Sequence, residues 1–181
     1  MTRKCKVCRC EFEPTKPMQA VCGFGCALAL SFSIRAKADK IAAVKDRRAI
    51  KELKESKLPF WNKKVEKIFN EFIRLRDFDQ PCISCGRHHQ GQWHAGHFLT
   101  VGAHPELRFE ELNVNRQCQP CNTHLHGNVL KYRKSLLEKY GVEVVDWLEG
   151  PHPLNHYTVD DLKAKFTHYT AKAKQLKEAQ A

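Results

Sequence analysis

Two quartets of cysteines at matched short spacings constrain this chain more than any other feature. Cys82 and Cys85 are separated by two residues, 32 residues intervene, and Cys118 and Cys121 repeat the spacing. Each short turn presents two sulfurs on one side, so four thiolates can reach one tetrahedral Zn²⁺, and the residues between them become a compact loop. Four thiols packed as small hydrophobes would not need two matched spacings. Near the N-terminus, Cys5 and Cys8 are followed after 13 residues by Cys22 and Cys26. This second quartet resembles a small zinc ribbon or knuckle, although three residues separate its second pair and Cys10 stands by as a competing ligand. Cys10 reads as a bystander rather than a nucleophile, since nothing in the sequence pairs it with a base. The segment from Arg3 to Cys26 has too little apolar material for a core unless a metal closes it.

The compartment follows from the same cysteines. The N-terminal MTRKCKVCRC is basic but leads into no apolar signal core, which predicts no export. The longest apolar stretch, around Ala27 to Ile34, is interrupted by Ser31 and Ser33 and falls well short of the roughly 20 residues of a membrane span. Nine cysteines without an export signal predict a reducing, cytoplasmic setting, where paired thiols bind metal. A length of 181 residues predicts one compact functional unit, or two small ones. The net charge of +11 asks for a polyanionic partner, nucleic acid first.

Four regions follow from composition and period. Residues 1–27 form the N-terminal zinc ribbon or knuckle. Residues 28–80 are a basic helical region for DNA contact, dimerisation or both. Between Arg35 and Lys67 stand 12 Lys/Arg against 5 Asp/Glu, which reads equally as an exposed helical linker or as a DNA-tracking arm carrying Arg47 and Arg48. The first helix is expected from about Leu28 to Lys57, ended by Pro59. Trp61, Val65, Ile68, Phe69, Phe72, Ile73 and Leu75 then recur at helical spacing and predict a second helix packed on the core. Residues 81–140 hold the core quartet and seven of the ten histidines. Residues 141–181 form a C-terminal helical region, whose last helix begins near Thr158 with Asp160 and Asp161 in its first turn.

The chemistry concentrates in QWHAGHFLT (Gln92–Thr100) and LNVNRQCQPCNTHLHGN (Leu112–Asn128). A His among apolar residues, then an Asn, then a cysteine knuckle followed at once by Asn and His, predicts a strand, a turn and a helix around one centre. That arrangement resembles the HNH, or ββα-metal, nucleases, in the zinc-stapled form of the phage endonuclease VII type. The ordered set of an N-terminal cysteine ribbon, a basic helix, CISCG, QWHAGH, LRF, QCQPCNTH and a downstream GN resembles the NinG family of lambdoid phages, also called Rap, over nearly the whole chain. The resemblance implies a small α+β fold, with a zinc-stapled ββα-metal core flanked by long helices and an N-terminal zinc ribbon. It also implies a metal-dependent endonuclease acting on Holliday junctions, D-loops and other branched DNA in phage recombination, in the cytoplasm of a bacterial host.

On that resemblance His97 matches the general base, Asn122 the residue that offers an amide oxygen to a catalytic Mg²⁺ or Mn²⁺, and Asn113 the middle Asn that ties the loop. A turn residue before a strand is the plainer reading of Asn113. His94 stands where the family pattern has Asp, and exchanging a carboxylate for imidazole favours Mn²⁺, Co²⁺, Ni²⁺ or Zn²⁺ over Mg²⁺. His124 is a further ligand for metal or phosphate, and His126 a weaker one. On a regular helix Asn122 and His126 would share a face, whereas His124 would point elsewhere. His88, His89, His104, His152, His156 and His168 read as surface residues. Arg108, Arg116, Lys131 and Arg133 lie near the expected site and suit phosphate contacts, extended by Arg87 and Lys134, although a solvated charged face accounts for each as well. Symmetric cleavage of a four-way junction implies a homodimer, for which the helices from Leu28 to Arg76 offer the means, and the family setting adds phage recombination proteins as partners. The contrasting expectation is a non-catalytic zinc-stapled DNA-binding accessory protein, which would not require the HAGH and CNTH motifs.

Overall fold

A computed structural model describes residues 2–180. It is a small α+β protein with two two-stranded sheets, and it divides into two units at Lys54/Glu55.

In the N-terminal unit β1 (Arg3–Lys4) pairs antiparallel with β2 (Glu11–Phe12). The turn between them is closed by Cys5 N–H donating to Cys10 O at 2.9 Å, and Arg9 takes a left-handed φ of 62°. Helix α1 (Phe24–Glu55) follows, 32 residues without one buried side chain. It begins four residues before the expected Leu28, so Cys26 lies in its first turn.

The C-terminal unit is built on α2 (Leu58–Arg76). Pro59 does not end α1. The break comes earlier, and Pro59 sits in the first turn of α2, where its missing N–H costs nothing. The expected helical stripe is buried: Val65, Phe69, Phe72 and Ile73 face Leu162, Tyr169 and Ala173 of α5 (Val159–Ala179), with Phe109 and Val114 completing the cluster. Tyr169 meets Phe69 edge-on at 4.9 Å, and each such ring contributes about 1.5–3 kcal/mol through burial. Thr158 caps α5 in a reciprocal box with Asp161. Because α2 packs on α5, the division between units falls inside the 28–80 region rather than at its end.

Strand β3 (Trp93–His97) pairs antiparallel with β4 (Val114–Cys118), placing Trp93 opposite Cys118, Ala95 opposite Arg116 and His97 opposite Val114. The connecting loop contains a short 3₁₀ turn, Pro105–Leu107. After β4 comes a single π turn, Pro120–His124, and then α3 (Val129–Tyr140) and α4 (Val142–Glu149). The helix expected after the second knuckle therefore starts only at Val129. His126, Gly127 and Asn128 have φ of 47°, 88° and 47°, a left-handed run that interrupts a right-handed helix. Phe98, Leu107, Tyr132, Leu136, Val145 and Leu148 form the second apolar cluster beneath the hairpin loop and α3.

Candidate metal centres and polar cleft

The ligand atoms of Cys82, Cys85, Cys118 and Cys121 all lie within 4.8 Å of one another, with Cys85 and Cys118 Sγ 3.9 Å apart. Four sulfurs at about 2.3 Å around a tetrahedral Zn²⁺ are separated by roughly 3.8 Å, so the quartet fits that ion. Its turns are prepared by the chain. Gly86 takes a φ of 66° and its N–H donates to Cys82 O at 2.8 Å, while Cys118 N–H and Asn128 Nδ2 approach Cys82 and Cys121 Sγ at 3.4 Å. His89, expected at the surface, is half-buried against Trp93, with Nε2 3.3 Å from Cys85 Sγ. Its place four residues after Cys85 was the available signal.

Cys5, Cys8, Cys22 and Cys26 make a second set within 4.8 Å, with 3.5 Å between Cys8 and Cys22 and 3.7 Å between Cys22 and Cys26. This set fits Zn²⁺ on the same grounds. Cys10 Sγ lies 3.0 Å from Cys8 Sγ, so it stands at the edge of the quartet.

His97 ends β3. Its Nε2 lies 3.1 Å from the carbonyl oxygen of Arg108. A carbonyl only accepts, so Nε2 carries the proton and Nδ1 is left as a bare acceptor. Burial is the largest influence on this imidazole and holds its pKa below the ordinary 6.5, against a smaller opposing effect of the Arg108 carbonyl. Arg108 itself lies 3.9 Å from Glu66 of α2. Asn113 is fully buried and ties both ends of the loop that follows His97: its Oδ1 accepts from Leu99 N–H at 2.9 Å, and its Nδ2 donates to Leu99 O and Leu107 O at 3.0 and 3.3 Å.

Alternation along β3 sets His94 on the opposite face from His97. His94 Nδ1 meets the amide nitrogen of Asn122, in the π turn, at 2.8 Å. Neighbouring ligands of an octahedral cation at 2.0–2.1 Å lie about 3 Å apart. With the Asn122 amide turned so that Oδ1 faces the imidazole, the pair would have the spacing of two neighbouring ligands; as placed, the contact is a hydrogen bond. Both residues line a cleft of about 540 Å³ with Asn70, Arg74, Gln92, Trp93 and Ala95. Asn70 Oδ1 is buried without a hydrogen-bond partner among the described residues. Asn70 and Arg74, one turn apart on α2, were not foreseen, since nothing in their helical spacing distinguishes them from other polar positions beside the apolar stripe.

The hairpin, knuckle and π turn are joined through Gln117. Its Nε2 donates to Ser84 Oγ and Gly127 O, each at 2.6 Å. A Cβ on Gly96 would press into Gln117 Oε1 and lie 3.0 Å from Gln117 Cβ. Tyr132, from α3, donates to Gly96 O at 2.8 Å.

The structure sets His94 beside Asn122, the two residues expected as ligands of one cation, and turns His97, the expected base, toward Arg108 and α2. His124 and His126 are exposed on the irregular turn, not on a common helical face with Asn122. Among the basic residues, Arg116 donates through one guanidinium nitrogen to the carbonyls of Asp77, Phe78 and Gln80 and stacks 3.8 Å from the Trp93 ring. Arg133 is paired with Glu149 at 2.7 Å and Lys134 lies 3.8 Å from Glu138. Lys131 is exposed on α3, and Arg47 and Arg48 are exposed on α1. No helix of the described residues is long and apolar enough to cross a membrane.

Comparison with known proteins covers almost the whole chain. The family model described as Bacteriophage Lambda NinG protein matches residues 1–179. "Protein ninG" of Escherichia phage 933W is 38% identical over 192 residues, covering 99% of this chain and 96% of the relative. The proteins of the same name from Salmonella phage P22 and Escherichia phage lambda are each 37% identical over 194 residues, covering 99% of this chain and 96% and 95% of theirs. No solved structure matches the chain. With the family model and these relatives spanning it nearly end to end, the chain belongs to the NinG family.

Proposed function

We propose that this protein is a metal-dependent endonuclease that cuts Holliday junctions and other branched DNA in phage recombination. The observation that carries the reading is the half-buried His97, whose Nε2–H is fixed on the Arg108 carbonyl so that a neutral Nδ1 is left as a base. Support comes also from the His94–Asn122 pair on the other face of the same strand and from the net charge of +11.

In-line displacement at phosphorus puts the attacking water and the leaving oxygen on opposite sides, which suits a base and a polar cleft on opposite faces of one strand. His97 Nδ1 takes a proton from water, and the resulting hydroxide attacks phosphorus. The P–O3′ bond breaks, and the departing 3′ oxygen is protonated by solvent. A divalent Mg²⁺ or Mn²⁺ ion would supply charge neutralisation at the phosphate and at the leaving oxygen, but the His94–Asn122 cleft offers it no carboxylate. Asn113 keeps the loop that carries Arg108 in register, so the carbonyl that fixes His97 stays in place. Binding through exposed Lys and Arg side chains contacts the DNA backbone and carries little sequence information, which suits selection by DNA structure and falls off steeply with salt. Resolution by paired cuts requires two sites, hence a homodimer.

The test is cleavage of a labelled four-way junction beside a linear duplex of the same arm sequence, in Mg²⁺ or Mn²⁺, by the wild-type chain and by His97→Ala. Paired nicks near the branch, reduced roughly 10²–10⁴-fold in the variant while binding persists, are expected. Binding without cleavage in either metal would replace the reading with that of an accessory DNA-binding protein. Equal cutting of the duplex would remove the selectivity for branches.

A further inference from the structure

Arg74 stands half-buried on α2 with neither an ion pair nor a hydrogen bond among the described residues. A guanidinium carries five N–H donors, and its charge is rarely drawn in from water without an acceptor. Asn70, one turn earlier, is equally unmatched, its Oδ1 buried without a partner. Both line the cleft of about 540 Å³ with Gln92, His94 and Asn122, and none of the described residues lining it is acidic. Asn122 Nδ2 meets His94 Nδ1 at 2.8 Å. An imidazole nitrogen that accepts carries no proton, so His94 keeps its proton on Nε2 and offers a donor rather than a second lone pair. This lining does not fit a hard cation. Magnesium and manganese sites draw on anionic oxygens, whereas here a positive charge stands beside an imidazole whose lone pair is already used.

What fits is an oxyanion. The non-bridging oxygens of a phosphodiester can accept from a guanidinium fork, an imidazole N–H and amide N–H groups at once. A stacked base suits the cleft less well, because Arg116 already covers a face of the Trp93 ring at 3.8 Å. The net charge of +11 favours a polyanion over a small carboxylate. Resting on the DNA-binding part of the reading above, we propose that this cleft is a metal-free phosphate site. It grips one backbone phosphate of the DNA through Arg74, with His94 and the amides of Asn70 and Asn122 as further donors. A phosphate held here anchors the DNA beside the strand that carries His97 and needs no divalent cation to do so.

The test uses the full zinc-loaded chain carrying His97→Ala, so that DNA is not consumed, with no divalent cation added. Zinc content and thermal melting establish that each variant is folded. In fluorescence anisotropy, Arg74→Gln should bind a four-way junction about tenfold more weakly, with the slope of log K against log salt reduced by about one. Arg74→Lys, which keeps the charge, should recover the slope. In NMR spectra of the free protein, millimolar inorganic phosphate should shift the His94 ring and Asn122 amide signals, and Arg74→Gln should abolish the shift. Sub-millimolar Mn²⁺ should leave the same signals sharp. Selective broadening of these signals by Mn²⁺ would put a cation in the cleft and overturn the proposal, as would the absence of any phosphate shift. A phosphate shift combined with unchanged junction binding in Arg74→Gln would make this a site for free phosphate and overturn its assignment to DNA. Junction cleavage by the wild-type chain separates the two readings. Cleavage together with unchanged binding in Arg74→Gln refutes the phosphate site alone, and Arg74-dependent binding without cleavage in any metal refutes the nuclease alone.

Discussion

At His97 a single backbone carbonyl decides which ring nitrogen is free, and burial decides that the ring is neutral near pH 7. The folded imidazole gives up its proton below the ordinary value of 6.5, while the unfolded one keeps it. Keeping this ring neutral therefore costs the fold nothing above that pH, and stability is lost as pH falls from 6.5 through the folded value. For a general base the acid limb of kcat/KM reports the same group, so activity should hold down to a pH below 6.5 before it falls. A pH–rate profile whose acid limb stands above 6.5 would detach that limb from His97. Gly96, one residue earlier, illustrates a different constraint. Gln117 is fully buried and anchored by two 2.6 Å hydrogen bonds, so it cannot swing away from an added methyl group. Gly96→Ala should cost about 1–3 kcal/mol, read as a lowered midpoint in denaturant with an unchanged slope.

The elements differ in how plainly the sequence announces them. The stripe from Val65 to Ile73 and the acidic first turn after Thr158 foretell α2 and α5, because periodicity and capping act over a few neighbouring residues. The knuckle spacings foretell the two cysteine quartets for the same local reason. The start of α3 was hidden, since CNTHLHGN reads as helical until the left-handed run at His126–Asn128 is seen. His94 and Asn122, expected as ligands of one cation, meet through strand alternation together with the π turn. Asn70 and Arg74 enter the cleft only through the packing of α2 beside β3, which no local pattern encodes. The quartets make a prediction at this scale. Cys118→Ser should lose its zinc and unfold the segment between the knuckles, with cleavage lost as a consequence, whereas Cys10→Ser should retain the full zinc content. Metal analysis of the purified variants checks both, and a soluble, zinc-free, active Cys118→Ser would refute the structural role of the core zinc.

Over the whole molecule the two units hold themselves together by different means. Residues 55–180 have two apolar clusters and a cysteine quartet, whereas the N-terminal unit closes around thiols and then extends as α1. A helix of 32 residues spans about 48 Å, yet none of its side chains is buried. Most helical stability in proteins comes from packing an apolar face, and a solvated helix retains only its propensity and its i,i+4 pairs. The backbone amides along α1 should therefore exchange with deuterated solvent far faster than those of α2 and α5, by local opening that leaves the rest of the fold intact. Hydrogen-exchange mass spectrometry would read this directly as a rapidly deuterating central α1 beside slow α2 and α5 peptides. Equal protection in all three helices would mean that α1 has found a partner surface in solution.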